Sequence, residues 1–299
     1  MIERLHDNLH LVPLDLPREG FRRFISTWIY SDVQTTILVD PGPGSTIPVL
    51  LEALKVMNVE NIDYILLTHI HLDHAGGLGL FLKYYPEAKV ICHPKGIRHL
   101  VEPGKLWEAS KKFLGNIAEL YGELIPVPED NIDFRYEIQT DAITIKVYET
   151  PGHATHHLSY EMGDMLFTGE ALGIFYPMDK AVYLRIASPP GFDLQAYRKS
   201  IGVLKNINTK VLCYGHYGMS SEIEPIMDLA LAQLDTWSEI INKYSTVDSP
   251  VFEEKVLDAL LANDPGLSCF HRLPADIRKR ELYFLGNSIK GFKIALDKM

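Results

Sequence analysis

Short apolar runs alternate with amphipathic segments along most of the chain. Runs of three to six largely apolar residues, bounded by glycine, proline or polar turn residues, predict buried strands. Positions that repeat at three- and four-residue steps predict helices. The predicted strands are 35–40, 64–68, 89–92, 143–148, 158–161, 166–168 and 211–214, and the predicted helices are 46–58, 78–84 and most of 95–124. Strands interleaved with helices predict a layered α/β core.

The pattern changes after the last predicted strand. Apolar residues recur at helical spacing from Ile226 to Tyr244, and two further helices are predicted near 250–262 and 274–297. We therefore predict an N-terminal α/β domain over residues 1–218 and a C-terminal helical extension over residues 219–299. The helical stretch at about 95–124 interrupts the strands of the first domain, and we expect it to cover a site.

Composition narrows the class of protein. Hydrophobic residues make up 46% of the 299 residues and the formal net charge is −10, so we expect neither nucleic acid nor an anionic membrane as a partner. No apolar run approaches the roughly 20 residues that span a bilayer, and the N-terminus lacks the apolar core of a signal peptide. Cys92, Cys213 and Cys269 are widely spaced and fit no disulfide framework, which favours a cytoplasmic location.

Metal-ligand residue types gather directly after one predicted strand. The stretch THIHLDHAGG, residues 68–77, places His69, His71, Asp73 and His74 within six residues. Histidine and carboxylate together suit zinc, iron or manganese. His69 and His71 lie two residues apart and can converge on one metal, whereas Asp73 and His74 then point elsewhere and can serve a second ion.

Three other strand ends repeat this arrangement. His153 follows the turn in TPGH, Glu170 ends LFTGE, and His216 lies in YGHYG. A lone histidine of this kind is more often an ordinary core or loop residue. Four matching strand ends instead indicate one metal site that is assembled from distant loops.

These motifs, in this order and at these separations, resemble the metallo-β-lactamase superfamily over residues 8–218. The stretches TPGHATHHLSY and LFTGEAL are more similar to its glyoxalase II and lactonase-like branch than to its nucleases. The resemblance implies a four-layer αββα sandwich with a dinuclear metal site at one edge of its two sheets. It also implies that the first metal is held by His69, His71 and His153. The second metal would be held by Asp73, His74 and His216.

Glu170 departs from the family, which places at this position an aspartate that bridges both ions. Glutamate is longer by one methylene, so its carboxylate needs a different rotamer or a shifted backbone. It bridges both ions, binds one ion, or withdraws from the metals and weakens the second site. We expect retained binding with altered geometry, because an oxygen ligand is still present at the same strand end.

The resemblance implies a hydrolase with two divalent metal ions. We expect zinc in preference to iron or manganese. A metal-bound hydroxide would cleave an ester-type bond in a small molecule, a thioester or a lactone, and Asp73 would orient the nucleophile and move its proton. Three alternatives stay open. They are a phosphodiesterase or nuclease, an iron-dependent persulfide dioxygenase, and a non-catalytic metal-binding module of the same fold.

Residues around the ligands are predicted more loosely. We expect His157, Tyr176 and Tyr217 to lie near the metal ligands or the substrate, and the segments 95–124 and 175–178 to line a partly hydrophobic pocket. The basic residues of the tail do not match those that glyoxalase II uses for glutathione: Arg272, Arg278, Lys279 and Arg280. A homodimer through the helical parts is a further expectation.

Overall fold

Two β-sheets stack face to face in the computed structural model, which describes residues 2–5, 8–178, 181–247 and 251–299. In the first sheet, β1 to β4 are antiparallel and β4 to β7 are parallel, in chain order. Its strands are β1 Glu3–Arg4, β2 Leu9–Pro13, β3 Ser26–Ser31, β4 Thr36–Val39, β5 Tyr64–Leu66, β6 Lys89–Ile91 and β7 Ile132–Asp133.

The second sheet has the order β15-β14-β11-β10-β9-β8, and all its pairs are antiparallel except β11 with β14. A separate hairpin of β12 and β13 lies between β11 and β14 in the chain. The strands are β8 Glu137–Gln139, β9 Thr144–Glu149, β10 Leu158–Met162, β11 Met165–Gly169, β12 Ile174–Met178, β13 Ala181–Arg185, β14 Val211–Tyr214 and β15 Met219–Ser220.

Helices cover the outer face of each sheet. The first six pack on the first sheet and the last four on the second. They are α1 Ile47–Val56, α2 Leu72–Ala75, α3 Leu78–Phe81, α4 Pro94–Val101, α5 Gly104–Leu114, α6 Asn116–Tyr121, α7 Leu194–Leu204, α8 Ile223–Lys243, α9 Val251–Asn263 and α10 Ala275–Leu296. The four-layer αββα sandwich implied by the resemblance is therefore present.

Side-chain alternation along the strands explains the layers. In β3, Trp28 points between the two sheets and its neighbour Ile29 points toward the helices. Both faces of the central strands are buried, so these strands are apolar throughout instead of alternating with polar residues. The indole nitrogen of Trp28 donates to the carbonyl of Tyr214 at 2.8 Å, which satisfies a buried donor and joins the two sheets.

The predicted strands are all present, with ends within two residues of the prediction. Two longer strands were missed, β2 and β3, because His10, Pro13 and the flanking serines and threonine interrupt their apolar pattern. The hairpin and α7 were missed as well. The helices α8, α9 and α10 share one apolar core with α7, and the division of the chain at 218/219 stays a prediction.

A buried ion cluster ties β13 to α10. The carboxylate of Glu281 accepts hydrogen bonds from Arg185 Nε at 2.5 Å, Arg280 Nε at 2.9 Å and the Tyr183 hydroxyl at 3.0 Å. Burial acts to raise the pKa of Glu281, but the two guanidinium groups outweigh it and lower that pKa to about 2. Glu281 therefore stays ionised and compensates part of the buried positive charge.

We expect Glu281→Gln to lower the free energy of unfolding by ~3–5 kcal/mol, because it leaves two buried guanidinium groups without their carboxylate. Urea denaturation at pH 7 measures the change. Asp276→Asn is the matched control on the same helix, since Asp276 pairs with Arg22 at the surface and its loss should cost less than about 1 kcal/mol. Equal losses in the two variants would contradict the assignment.

The contribution of Glu281 should also depend on pH. Its pKa in the folded chain, about 2, lies below the ordinary value of 4.5, so the stabilisation is fully present above pH 4.5 and is lost as the pH falls toward 2. The difference in unfolding free energy between the wild type and Glu281→Gln should shrink over this interval. A difference that stays constant from pH 5 to pH 2 would show that ionisation of Glu281 is not its source.

Candidate metal centre

The histidine-rich loop changes backbone conformation partway along its length. His71 caps α2 with an extended backbone, φ −64° and ψ 156°, and the residues after it are helical. Ile70 and Leu72 are buried in the apolar core and anchor the loop on both sides of His71. The change of direction sends His69 and His71 to one group of ligands and the residues of α2 to another.

The first group contains His69, His71, His153 and Glu170, whose ligand atoms all lie within 4.8 Å of one another. His153 Nε2 lies 3.0 Å from His71 Nδ1 and 2.6 Å from Glu170 Oε2. His153 arrives from the loop that follows β9, in the second sheet, whereas His69 and His71 come from the first sheet. The group therefore spans both sheets at one edge of the sandwich.

The second group contains Asp73, His74 and His216, with ligand atoms again within 4.8 Å of one another. Asp73 Oδ2 lies 3.8 Å from His216 Nε2 and 4.0 Å from His74 Nε2. His216 follows β14 by two residues, as the motif YGHYG predicted.

Glu170 lies between the two groups. Its Oε2 is 3.2 Å from His69 Nε2, and its Oε1 is 3.0 Å from His216 Nε2. The register of β11 against β14 shifts between Phe167 and Gly169, so the strand is irregular just before it presents this carboxylate. The longer side chain thus reaches both groups from the position where the family has aspartate.

Hydrogen bonds fix the orientation of four of the five histidine rings. In each of these rings Nδ1 is bound to the protein, so Nε2 is turned toward the ligand groups. The partners of Nδ1 are Thr68 Oγ1 for His69 at 3.0 Å, Asp40 Oδ2 for His74 at 2.9 Å, the Ala187 carbonyl for His153 at 2.9 Å and the Phe24 carbonyl for His216 at 3.1 Å.

The donor atoms fit a transition metal. The Nε2 atoms of His69 and His74 are buried and have no hydrogen-bond partner, which is costly unless another group binds them. Burial lowers the pKa of His69 and of His71 well below the ordinary value, so both rings are neutral, the form that binds metals. Burial also acts to lower the pKa of His74, but Asp73 and Asp40 outweigh it and raise that pKa to about 9.

Asp40 was predicted only as the last residue of a strand, but its carboxylate positions the His74 ring. Its carboxylate accepts hydrogen bonds from Thr68 N at 2.8 Å and Thr68 Oγ1 at 2.6 Å, in addition to its bond with His74. Its φ of 55° is unusual for a residue other than glycine and turns the chain out of β4. The signal was available, because Asp40 is a carboxylate directly after a buried apolar strand, like Glu170.

His157 supports Glu170 from behind. The ring Nε2 accepts a hydrogen bond from the backbone N–H of Glu170 at 3.0 Å, and Nδ1 donates to Thr150 Oγ1 at 2.8 Å. Both ring nitrogens are used, so His157 lies beside the ligand groups without joining them. Gly169 must be glycine here, since its φ is 53° and a Cβ would lie 2.5 Å from His157 Nε2.

The two predicted tyrosines lie outside the site. Tyr176 belongs to β12 and is buried in the core formed with the C-terminal helices, and the Tyr217 hydroxyl donates to Glu3 at 2.9 Å. The prediction that residues 175–178 line the pocket is wrong, because none of them is among the described residues around the cavity. Their aromatic and apolar side chains pack as β12.

A cavity of about 490 Å³ opens beside the metal-ligand groups. Asp73, Glu170 and three of the five ligand histidines line it: His71, His153 and His216. Its walls come from α5 and α6, through residues such as Leu106, Leu114 and Tyr121, and from the face of α10 that carries Phe284 and Asn287. The helical stretch at 95–124 thus covers the site, as expected from its place in the sequence.

Comparison with known proteins identifies the family. The model described as "Metallo-beta-lactamase superfamily" matches residues 20–216. The curated relative ST1585, a metallo-beta-lactamase fold-containing protein of Sulfurisphaera tokodaii, is 29% identical over 239 residues, 78% of this chain and 86% of its own length. A hydroxyacylglutathione hydrolase of Psychromonas ingrahamii is 28% identical over 215 residues, 66% of each chain.

Solved structures agree with the fold. The crystal structure of ST1585 from Sulfolobus tokodaii has a TM-score of 0.65 at 26% identity and covers 87% of this chain and 98% of its own. A metallo-beta-lactamase family protein from Thermus thermophilus, TTHA1429, has a TM-score of 0.68 at 21% identity over 99% and 95% of the two chains, which shows the fold alone. Among the described residues, no helix combines the length and apolar character needed to cross a bilayer. The chain belongs to the metallo-β-lactamase superfamily.

Proposed function

We propose that the protein is a metal-dependent hydrolase that uses two divalent metal ions, zinc foremost, to cleave an ester-type bond in a small molecule. A thioester and a lactone are the substrate types that we favour. The observation that carries the proposal is the pair of ligand groups that meets at the end of one cavity, with the Glu170 carboxylate between them.

Each of the two ligand groups would bind one ion. His69, His71 and His153 would hold one ion, and Asp73, His74 and His216 would hold the other. Glu170 offers Oε2 to the first group and Oε1 to the second. Divalent ions held by these residues would supply a water of lowered pKa, near 7 instead of 15.7, and a positive charge for the carbonyl oxygen of the substrate. The fixed Nδ1 hydrogen bonds keep the imidazoles in place, so little reorganisation is needed during the reaction.

Asp73 is the residue that we propose orients the nucleophile and accepts its proton. Its side chain is 19% exposed, more than those of His74, His216 and Glu170 around it, and it lines the cavity. Its carboxylate therefore faces the space where a substrate carbonyl would lie.

The cavity favours a small ester over a nucleic acid. Apolar side chains from α5 and α10 form much of its wall, and Arg185 is the one lysine or arginine among the described residues that line it. A nuclease needs a basic surface that follows repeated phosphates, which a chain with a net charge of −10 does not favour. The similarity to a hydroxyacylglutathione hydrolase supports an acyl substrate.

We also propose that the reaction takes place in the cytoplasm. Cys92, Cys213 and Cys269 are buried and form no disulfide, as expected in a reducing compartment.

Purified protein should hydrolyse a thioester or a lactone, lose this activity with a chelator and regain it with zinc, because the ions supply the nucleophile. The panel is one thioester, one lactone, one phosphodiester and one persulfide. His71→Ala should lose bound metal and more than about 100-fold in turnover, since a lost ligand costs more than a lost orienting partner. His271→Ala, at an exposed position, is the matched control.

Other results of this panel would replace the proposal. Turnover of the phosphodiester alone would indicate a phosphodiesterase, and iron-dependent oxygen uptake with the persulfide would indicate a dioxygenase. Full metal loading without turnover of any substrate would indicate a binding module.

Glu170→Asp should keep or raise the metal content, because a carboxylate remains at the position where the family uses aspartate, whereas Glu170→Ala should lose metal. Metal analysis of purified protein measures both, and Glu224→Asp on the exposed surface of α8 is the control. Full two-ion loading in the wild type with loss of metal in Glu170→Asp would show that this site requires the longer side chain.

A further inference from the structure

Arg185 is a buried cation on the wall of the cavity. It lies at the end of β13 and its side chain is 3% exposed. The hydrogen bond that the structure gives it runs from Nε to Glu281, and its Nη1 and Nη2 atoms bind none of the described residues. Two terminal nitrogens of a guanidinium group therefore remain without protein partners beside the candidate metal centre.

Arg280, the other guanidinium in this cluster, is held differently. Besides its bond to Glu281, its Nη1 donates to the backbone carbonyl of Gly20 at 2.7 Å, and its guanidinium lies 4.1 Å from the centre of the Phe24 ring. Arg280 is thus held by the fold through several contacts. Arg185 makes its hydrogen bond to Glu281 through Nε and lies 5.3 Å from the centre of the Phe284 ring, so its two terminal nitrogens are available to a ligand.

The balance of charges in the Glu281 cluster also favours an anionic ligand. One carboxylate, that of Glu281, is shared by two buried guanidinium groups, so the cluster keeps one positive charge. Buried charges are normally paired. A ligand with a single negative charge would compensate this excess positive charge.

A second donor lies on the same wall. The Nδ2 atom of Asn287 is buried and has no hydrogen-bond partner, and Asn287 also lines the cavity. It lies three residues after Phe284, whose ring centre is 5.3 Å from the Arg185 guanidinium, so both residues share one face of α10. The cavity thus combines a polar corner with the apolar side chains of α5.

We propose that Arg185, held in position by Glu281, binds a carboxylate of the substrate, and that the substrate is an ester, thioester or lactone with a short apolar body between this carboxylate and the reacting carbonyl. The planar guanidinium matches the geometry of a carboxylate, and one residual positive charge matches a monoanion better than a phosphate monoester with nearly two charges. The ester chemistry rests on the proposed function, whereas the carboxylate site rests on the cavity wall alone.

The test compares matched pairs of N-acetylcysteamine thioesters. Half-thioesters of glutaric, adipic and pimelic acid carry a free carboxylate, and pentanoyl, hexanoyl and heptanoyl thioesters are their apolar counterparts. In the wild type, at least one carboxylate thioester should have a kcat/KM about 10- to 100-fold above its counterpart, as expected for hydrogen bonds to a charged group. The difference should lie mainly in KM, since the carboxylate is remote from the reacting carbonyl.

Variants assign this preference to Arg185. Arg185→Met should reduce the preference for the carboxylate thioester to less than about threefold. Arg185→Lys should keep part of this preference, because the positive charge remains but the planar guanidinium that can bind both carboxylate oxygens is lost. Arg185→Met leaves Arg280 and Glu281 as a balanced pair, and the denaturation midpoint shows whether the variant is folded. Arg198→Met is the matched control, because Arg198 pairs with Asp235 at the surface of α7.

A binding experiment separates this inference from the proposed function. Thioethers of the same lengths lack the scissile carbonyl, and calorimetry with chelator-treated protein measures their binding without metal or turnover. The carboxylate-bearing thioether should bind about 10- to 100-fold more tightly than its alkyl counterpart, and Arg185→Met should abolish this difference.

The outcomes distinguish the two claims. Equal binding of both thioethers to the wild type would overturn the carboxylate site, even if thioesters are hydrolysed. A preference for the carboxylate thioether that survives in both Arg185 variants would overturn the role of Arg185. A preference that depends on Arg185, in a protein that hydrolyses no ester, would support the carboxylate site and contradict the proposed function.

Discussion

Two buried imidazole rings, those of His69 and His74, are each held by a hydrogen bond at Nδ1 and have no protein partner at Nε2, and this is the constraint on which the rest of the site depends. Nδ1 of His74 is bound to Asp40, and its Nε2 has no protein partner. Such an arrangement is unfavourable in a dry interior unless another group takes up the free nitrogen. The two sheets, the bend at His71 and the close packing at Gly169 all bring these rings to one edge of the sandwich.

The same edge explains the roles of the outer layers. The helices α5 and α6 on one side and α10 on the other enclose the cavity beside the ligand groups. The ion cluster of Glu281 fastens α10 to the hairpin strand β13 and at the same time orients Arg185 toward the cavity. The C-terminal helix is therefore part of the wall that would select a substrate, besides being part of the core.

Much of the fold and of the site could be predicted because the metal-ligand residues directly follow buried strands. A buried apolar run followed by glycine and a ligand is a local signal, and it predicted the positions of His153, Glu170 and His216 as well as the four-layer sandwich through the family resemblance. Asp40 also follows a buried apolar strand, but the prolines and glycines directly after it are typical of an ordinary turn, so the carboxylate was not predicted as part of the site. The pairing of β2 and β3 lacked a clear apolar pattern and was therefore missed.

Other features depend on contacts between distant residues. Arg185 and Glu281 are separated by 96 positions, and neither has a local pattern that marks it as buried. The most direct test of the metal centre is X-ray diffraction at the zinc absorption edge from crystals of the zinc-loaded protein. We expect two anomalous peaks, one among His69, His71 and His153 and one among Asp73, His74 and His216, with Glu170 between them. A map in which both positions lack a peak would contradict the metal centre and the chemistry that depends on it.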